Sequence, residues 1–348
     1  MSEQSVLTGI TGGLGRLTLN RPGAINALTA EMVGILRRTL ADWSETDRVR
    51  AVLISGAGSR GLCAGGDLRA MHADAVSGGT GSLDFWAEEY RLNADLAEYP
   101  KPVVAFMDGL VMGGGIGVSA HASLRVVTER SRLAMPEVGI GFHPDVGGSW
   151  LLARAPGEIG THLALTGGAI GAADAILAGL ADVFVPSHRL GELAEALCSG
   201  VPERGAPGAG AAEVVGAFAV SPPPGDLADA RGWIDECYTG GDVTAILDRL
   251  ASSPSAAAQA AAKEIATKSP TSLVVALRSV RAAAGMAGLR EALDQEYRLS
   301  AALLRLPDLA EGIRAQIIDK DRRPRWQPPT LAEVSPTVID ACFTPPPH

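Results

Sequence analysis

The sequence predicts an α/β fold, with a core of alternating strands and helices followed by a helical C-terminal region. Three observations carry this. Short β-branched apolar runs, such as VRAVLIS at 49–55 and KPVVAFM at 101–107, alternate with longer helical patterns as far as Val185. Glycine loops follow those strands, at Gly56-Ala-Gly58, at 61–67 and at Gly113-Gly114-Gly115. Beyond about residue 225 the strand signals stop and the periodic stretches are helical.

Taken in order, RLTLN at 16–20 alternates polar and apolar residues and reads as a half-buried strand, broken by Arg21-Pro22. Thr29 can cap a helix over 30–44, with Met32, Ile35, Leu36, Leu40 and Trp43 on one face. The run 49–55 is a buried strand, and the glycine loop after it leads toward a helix start. Residues 70–81 are small and polar and read as a mobile loop. A helix over 83–99 carries Glu88 and Glu89. The strand 101–107 enters the triple glycine, and a small-residue helix over 114–122 follows. Strands at 124–128 and 132–135, helices at 148–154, 162–166 and 172–179, and a strand at 182–185 complete a core domain over 1–200. Its winding suggests repeated β-β-α units. Residues 201–225 are rich in Gly, Ala and Pro and read as a linker or surface excursion. Helices at 256–267, 271–284, 289–305 and 308–319 place a helical region over 226–348, ending in an extended tail.

Composition narrows the function. Of 348 residues, 47% are hydrophobic, enough for a well-filled core, and the formal net charge of -9 argues against a general nucleic-acid binder. Cys63, Cys198, Cys237 and Cys342 are far apart and form no CxxC or Cys/His metal pattern, so they read as reduced thiols of a cytoplasmic protein. The start, MSEQSVLTGI, has no basic, apolar signal-peptide pattern, and no apolar run reaches membrane-spanning length.

The chemistry concentrates in 107–150. There the triple glycine precedes Glu137, which follows Pro136, and Asp145, which is followed closely by Gly147 and Gly148. Glycines let backbone N–H groups approach a developing negative charge, and two carboxylates can move protons or attack. On its own this pattern better suits a glycine-rich packing turn with two surface acids.

Further motifs shift that balance. They are Asn20-Arg-Pro, Asn26-Ala-Leu-Thr29, Cys63-Ala-Gly-Gly-Asp67, Glu88-Glu-Tyr90, Met112-Gly-Gly-Gly115, Met135-Pro-Glu137 and Pro144-Asp-Val-Gly-Gly148. Ala164-Leu-Thr-Gly167, Ser269-Pro-Thr-Ser272, Glu296-Tyr-Arg-Leu-Ser300, Glu311-Gly-Ile-Arg314 and Ile318-Asp-Lys-Asp321 continue the set. With these the chain resembles the enoyl-CoA hydratase/isomerase (crotonase) superfamily over nearly its whole length, and within it the thioester-hydrolase branch. The resemblance implies a crotonase (ClpP/crotonase-like) fold. It implies backbone amides of Gly66 and Gly114 as the holders of a thioester oxygen, Glu137 and Asp145 as catalytic acids, and Glu89 as a substrate-lining residue. The superfamily's hydratases usually carry a first glutamate where this chain has Gly117, whereas the hydrolase branch is similar in having glycine there and an aspartate matching Asp145. The implied reaction is hydrolysis of an acyl-CoA, most closely 3-hydroxyisobutyryl-CoA in valine breakdown, with an enoyl-CoA hydratase/isomerase acting on a short-chain acyl-CoA as the alternative. Glu137 would act either as general base or as direct nucleophile. The implied partner is the acyl-CoA substrate alone, with no nucleic acid, membrane, metal or other cofactor. A homo-oligomer, trimer or hexamer, is what the superfamily suggests.

Simpler roles fit other residues. Asp67 reads as a helix N-cap, Cys63 as a packing residue, His121 as a core histidine, and Glu88 as part of a solvated helix face. Arg322, Arg323 and Arg325 read as an exposed charge run. His143 departs from the resemblance, since similar hydrolases usually have Phe there. A titratable ring beside the site is expected to alter acyl preference or pH profile.

Overall fold

The structure, a computed structural model, describes residues 4–200 and 210–344. Among the described residues nine strands make two sheets. The larger has the order β1 (Val6–Thr11), β2 (Leu14–Leu19), β3 (Ala51–Gly56), β5 (Val103–Met107), β7 (Leu124–Val127), β9 (Val183–Phe184). The smaller has the order β4 (Gly61–Cys63), β6 (Leu110–Met112), β8 (Arg132–Ala134). β1 and β2 form an antiparallel hairpin over Gly12 and Gly13, whose φ values of 64° and 123° suit glycine at a tight turn. The remaining pairings of the larger sheet are parallel. Each consecutive pair, β3/β4, β5/β6 and β7/β8, sends one strand to each sheet, which is the β-β-α winding that the sequence suggested.

The chain forms two compact units. The first comprises Met1–Gly66, Arg91–Leu133 and Ile170–Gly225. Its core gathers Leu14, Leu53, Val104, Phe106, Val126, Val185, Leu193 and Leu197. The helix Ala30–Ser44 begins at Thr29, whose hydroxyl accepts the Met32 N–H at 3.3 Å, and it buries Met32, Val33, Leu36, Leu40 and Trp43. Ile35 is only half-buried, and Val33 takes its place in the packed face.

The second unit comprises Asp67–Tyr90, Ala134–Ala169 and Asp226–His348. Its helices include Ile159–Thr166, Leu227–Cys237, Val243–Ser252, Ala256–Ile265, Pro270–Ala283, Leu289–Leu303 and Pro307–Ile313. Side-chain caps start several of them. The Ser269 hydroxyl accepts the Ser272 N–H at 3.1 Å, and the Asp242 carboxylate accepts the Thr244 N–H at 2.8 Å.

Five expectations change. Residues expected as a mobile loop over 70–81 are mostly the helix Leu68–Ser77, closed by Gly78 at φ 73°. Among its residues only Met71 is buried, so it has no apolar period to read. The helix expected over 114–122 is the single turn Gly114–Gly117. Of the expected linker over 201–225, residues 201–209 lie outside the described residues, and 211–218 form the helix Ala211–Phe218. Ala211, Val214 and Val215 pack it into the first unit's core at helical spacing. The compact units also cut the chain elsewhere than at 200. Residues from 134–169 bind to the C-terminal helices, through the Ser269 N–H on the Val138 carbonyl at 3.2 Å and through Glu296. The tail, expected to be extended, is irregular near Arg322 but ends in the helix Pro336–Phe343, with Ile339 and Cys342 buried. No helix among the described residues is long and apolar enough to cross a membrane.

Candidate active site

Five carboxyl groups among the described residues lie buried in the second unit; Asp308 accepts the Ser269 hydroxyl, and the other four, Glu89, Glu137, Asp145 and Glu296, interact electrically. The helix Gly81–Ala97 supplies Glu89, and Glu137 opens a single turn, Glu137–Ile140, after Pro136. Asp145 precedes a helical turn, Gly148–Leu152, and Glu296 comes from the helix Leu289–Leu303. Glu89 is 2% exposed, Glu137 and Asp145 5% each, and Glu296 0%. Loss of water opposes ionisation of each group. Burial raises Asp145 to about 7 and Glu296 to about 8. Burial and the Asp145 charge raise Glu89 and Glu137 well above the ordinary glutamate range. Oε1 of Glu89 and Oε2 of Glu137 have no hydrogen-bond partner among the described residues.

Asp145 ends a line of contacts. Its Oδ2 lies 2.8 Å from the Tyr90 hydroxyl, which lies 2.8 Å from Oγ of Ser300. That Oγ lies 3.1 Å from Nε2 of His143, whose Nδ1 meets the Pro144 carbonyl at 3.0 Å. His143 is fully buried, and burial lowers it to about 3. The expected titratable ring is therefore a neutral imidazole near pH 7.

Directly after Asp145, Val146 adopts φ 52°, a strained backbone conformation for a β-branched residue. Glu296 braces this turn. Its carboxyl group accepts the Gly147 N–H at 2.6 Å, the Ser149 N–H at 2.9 Å and the Ser149 hydroxyl. Sequence reasoning gave Tyr90, Glu296 and Ser300 no role. Glu296 and Ser300 sit one helical turn apart, among the buried residues Leu293, Leu299 and Leu303. Polar residues on that apolar face were the readable signal.

The glycine loops belong to the first unit. Asn26, fully buried, donates from its side-chain amide to the carbonyls of Gly61 and Leu62 at 3.1 Å each. The Leu28 N–H donates to the Gly65 carbonyl at 2.8 Å. These bonds fix 61–66. In the second loop Gly113 takes φ 48°, ψ −117°, and Gly114 opens the turn Gly114–Gly117. A Cβ on Gly65 would sit 3.3 Å from the Met112 carbonyl oxygen and 3.7 Å from the Gly114 nitrogen, so the two loops pack backbone on backbone. Gly66 is half-buried and Gly114 buried. Gly114 precedes the first intrahelical hydrogen bond of its turn, the position at which an amide can serve a ligand.

Lesser expectations can be placed too. Asp67 accepts the Arg69 N–H at 3.2 Å as N-cap of its helix. Cys63 is buried with Sγ 3.4 Å from the Gly65 nitrogen, and His121 is 8% exposed. Glu88 is half-buried, and Arg322, Arg323 and Arg325 are exposed. Among the described residues no group of three or more His, Cys, Asp or Glu is arranged to hold a metal ion.

Residues 14–343 match the family model for Enoyl-CoA hydratase/isomerase. The chain is 39% identical over 338 residues to a mitochondrial 3-hydroxyisobutyryl-CoA hydrolase of Xenopus laevis, covering 96% of this chain and 87% of that one. It is 50% identical to a solved carnitinyl-CoA dehydratase of Mycobacterium thermoresistibile, with a TM-score of 0.93 and coverage of 99% and 97% of the two chains. A solved enoyl-CoA hydratase of Rhodobacter sphaeroides is 40% identical, with a TM-score of 0.89 and 98% of each chain covered.

Proposed function

The chain belongs to the enoyl-CoA hydratase/isomerase family and has its crotonase fold, and from that premise we propose that it hydrolyses an acyl-CoA thioester. The proposed substrate is 3-hydroxyisobutyryl-CoA, as the name of the Xenopus relative suggests, and the setting is valine breakdown. The names of the solved relatives point instead to addition or loss of water at a carbon–carbon bond. One observation favours hydrolysis. The buried acids Glu137 and Asp145 interact electrically, while position 117, where the family resemblance implies a glutamate for a hydratase, is glycine. Water addition needs an acid and a base disposed about a double bond. Thioester hydrolysis needs a base for water, a proton for the leaving sulfur and donors for the carbonyl oxygen.

In this proposal the amides of Gly66 and Gly114 hold the thioester oxygen as it becomes negative. Glu137 takes a proton from water, and the hydroxide adds to the carbonyl carbon. The C–S bond then breaks, and the CoA sulfur leaves with a proton. Glu89 lines the acyl group. Coenzyme A is part of the substrate, and neither metal nor redox cofactor has a task in these steps. The free thiols suit a reducing compartment, in this proposal the cytoplasm. A homo-oligomer is proposed on the family's precedent, and acyl-CoA as the sole partner.

The test supplies purified protein with 3-hydroxyisobutyryl-CoA, carnitinyl-CoA and a short enoyl-CoA. Free thiol and the conjugated double bond are followed in each. Thiol release from the first, with no change in double-bond absorbance from the others, is the expected result. Water addition or loss without thiol release would overturn the proposal.

A further inference from the structure

Glu89 is a buried acid that the fold leaves unpaired. The other buried carboxyls of the second unit have partners. Glu296 accepts the Gly147 and Ser149 N–H groups, and Asp308 accepts the Ser269 hydroxyl and the Gln327 N–H. Asp145 accepts the Tyr90 hydroxyl, and Glu137 is bonded by its own backbone N–H. Glu89 is 2% exposed, and its Oε1 has no hydrogen-bond partner among the described residues. It lies in the middle of the helix Gly81–Ala97 and so caps neither end. Its electrical neighbours are two further acids, Asp145 and Glu137. An unpaired buried acid costs stability, and a ligand that pairs it removes the penalty on binding.

We propose that the Glu89 carboxyl hydrogen-bonds the hydroxyl group of the acyl chain, and so selects a hydroxyacyl-CoA over its deoxy analogue. This rests on the hydrolase reading and deepens it. Beyond the thioester, that hydroxyl is the one polar group of the proposed acyl chain. An alcohol both donates and accepts a hydrogen bond. Burial and the Asp145 charge oppose ionisation of Glu89, and a neutral carboxyl likewise offers one O–H and free lone pairs. One turn back along the helix, Phe85 and Trp86 are both buried, and Trp86 stacks on Phe142 with 5.1 Å between ring centroids. An acid set beside apolar rings suits a short carbon chain that bears a single hydroxyl. Glu89 is also near enough to Glu137, the proposed base, for its charge to act there.

Each partner needs the other. A hydroxyl buried without a partner is penalised, and the carboxyl stays unpaired when the chain brings no hydroxyl. A site built to bond a substrate hydroxyl therefore rejects the analogue that lacks it more strongly than a site that matches shape alone. A purely structural Glu89 predicts the opposite in two respects. Its replacement would weaken the free protein, and it would weaken binding of every acyl chain alike.

The test reads binding without turnover. Two uncleavable CoA thioethers, one with a hydroxyisobutyl chain and one with an isobutyl chain, are titrated into the protein by calorimetry. Wild type should bind the first about 10-fold more tightly, the equivalent of one hydrogen bond. In Glu89→Met, a change of similar volume, that preference should vanish. In Glu89→Gln, which keeps a donor and an acceptor, part of it should remain. Ligand-free Glu89→Met should also unfold at a higher temperature than wild type, because an unpaired buried acid is gone. No preference in wild type, or the same preference in Glu89→Met, would overturn the proposal. A Glu89→Met chain that unfolds more easily and loses both thioethers alike, or that cannot fold, would give Glu89 a structural task and overturn it too. Thiol release from 3-hydroxyisobutyryl-CoA is scored separately. Its absence beside an intact thioether preference would sink the hydrolase reading and leave hydroxyl recognition standing. Its presence without the preference would do the reverse.

Discussion

In the proposed reaction the glycine loops of the first unit act through main-chain groups, while the acid cluster of the second acts through side chains. The loops are held by backbone packing and by Asn26, and their donors keep one charge state at all pH values of interest. The cluster is held by Glu296 and by the contacts of Asp145, and its charge depends on burial. A donor made of backbone is insensitive to pH but intolerant of bulk. An acid made of side chain tolerates a change of shape better than a change of surroundings. Perturbations of the two regions should therefore differ in kind.

The largest effect is expected in the loops. A Cβ on Gly115 would collide with the Cys63 carbonyl, so Gly115→Ala must shift the loop that carries Gly114. Loss of one oxyanion donor typically lowers kcat about 100- to 1,000-fold. Steady-state kinetics on the thioester should show that loss at every pH, and a pH-dependent loss would erase the distinction between the regions.

Next comes the brace. Glu296→Ala leaves the Gly147 and Ser149 amides and the Ser149 hydroxyl without their acceptor, beside the strained Val146. Each buried group left unpaired costs about 1–3 kcal/mol, so urea unfolding should show a loss of about 3 kcal/mol or more. An unchanged midpoint at unchanged slope would mean that the turn stands without Glu296.

The smallest effect concerns pH and stability. The folded Asp145 sits near 7, above its ordinary value of 3.8, and the folded Glu296 near 8, above 4.5. In the native state each binds a proton that the unfolded chain has already released, so stability falls as pH rises. Their contribution is whole below about pH 4 and is lost as pH rises through the native values near 7 and 8. Across that window the advantage of wild type over Asp145→Asn should shrink, as thermal unfolding at matched pH values would record. A rising advantage would mean that Asp145 is ionised in the native state.

The two regions also differed in how far the sequence disclosed them. Local patterns identified β3, β5 and the capped helix Ala30–Ser44, because the two strands are continuous buried apolar runs and the helix buries one face at helical spacing. Gly66, Gly114, Glu137 and Asp145, the residues that the proposed reaction uses, were named from motifs of a few adjacent residues. The brace and the contacts that lead to Asp145 were not, since they join residues far apart: Tyr90 to Ser300, and Gly147 to Glu296. The helix Leu68–Ser77 was hidden because it buries little, and Ala211–Phe218 because glycine and proline surround its short apolar face. The anomaly at His143 was visible as a residue. Its neutrality came only from a burial that no local pattern reports.

The most direct test of the central claim is thiol release from 3-hydroxyisobutyryl-CoA by wild type and by Glu137→Gln, with folding of the variant checked by its thermal unfolding. General-base catalysis is typically worth about 100- to 10,000-fold, and a loss of that size in a folded variant is the predicted result. Release at the wild-type rate by Glu137→Gln would contradict it and move the search for the base to another buried acid.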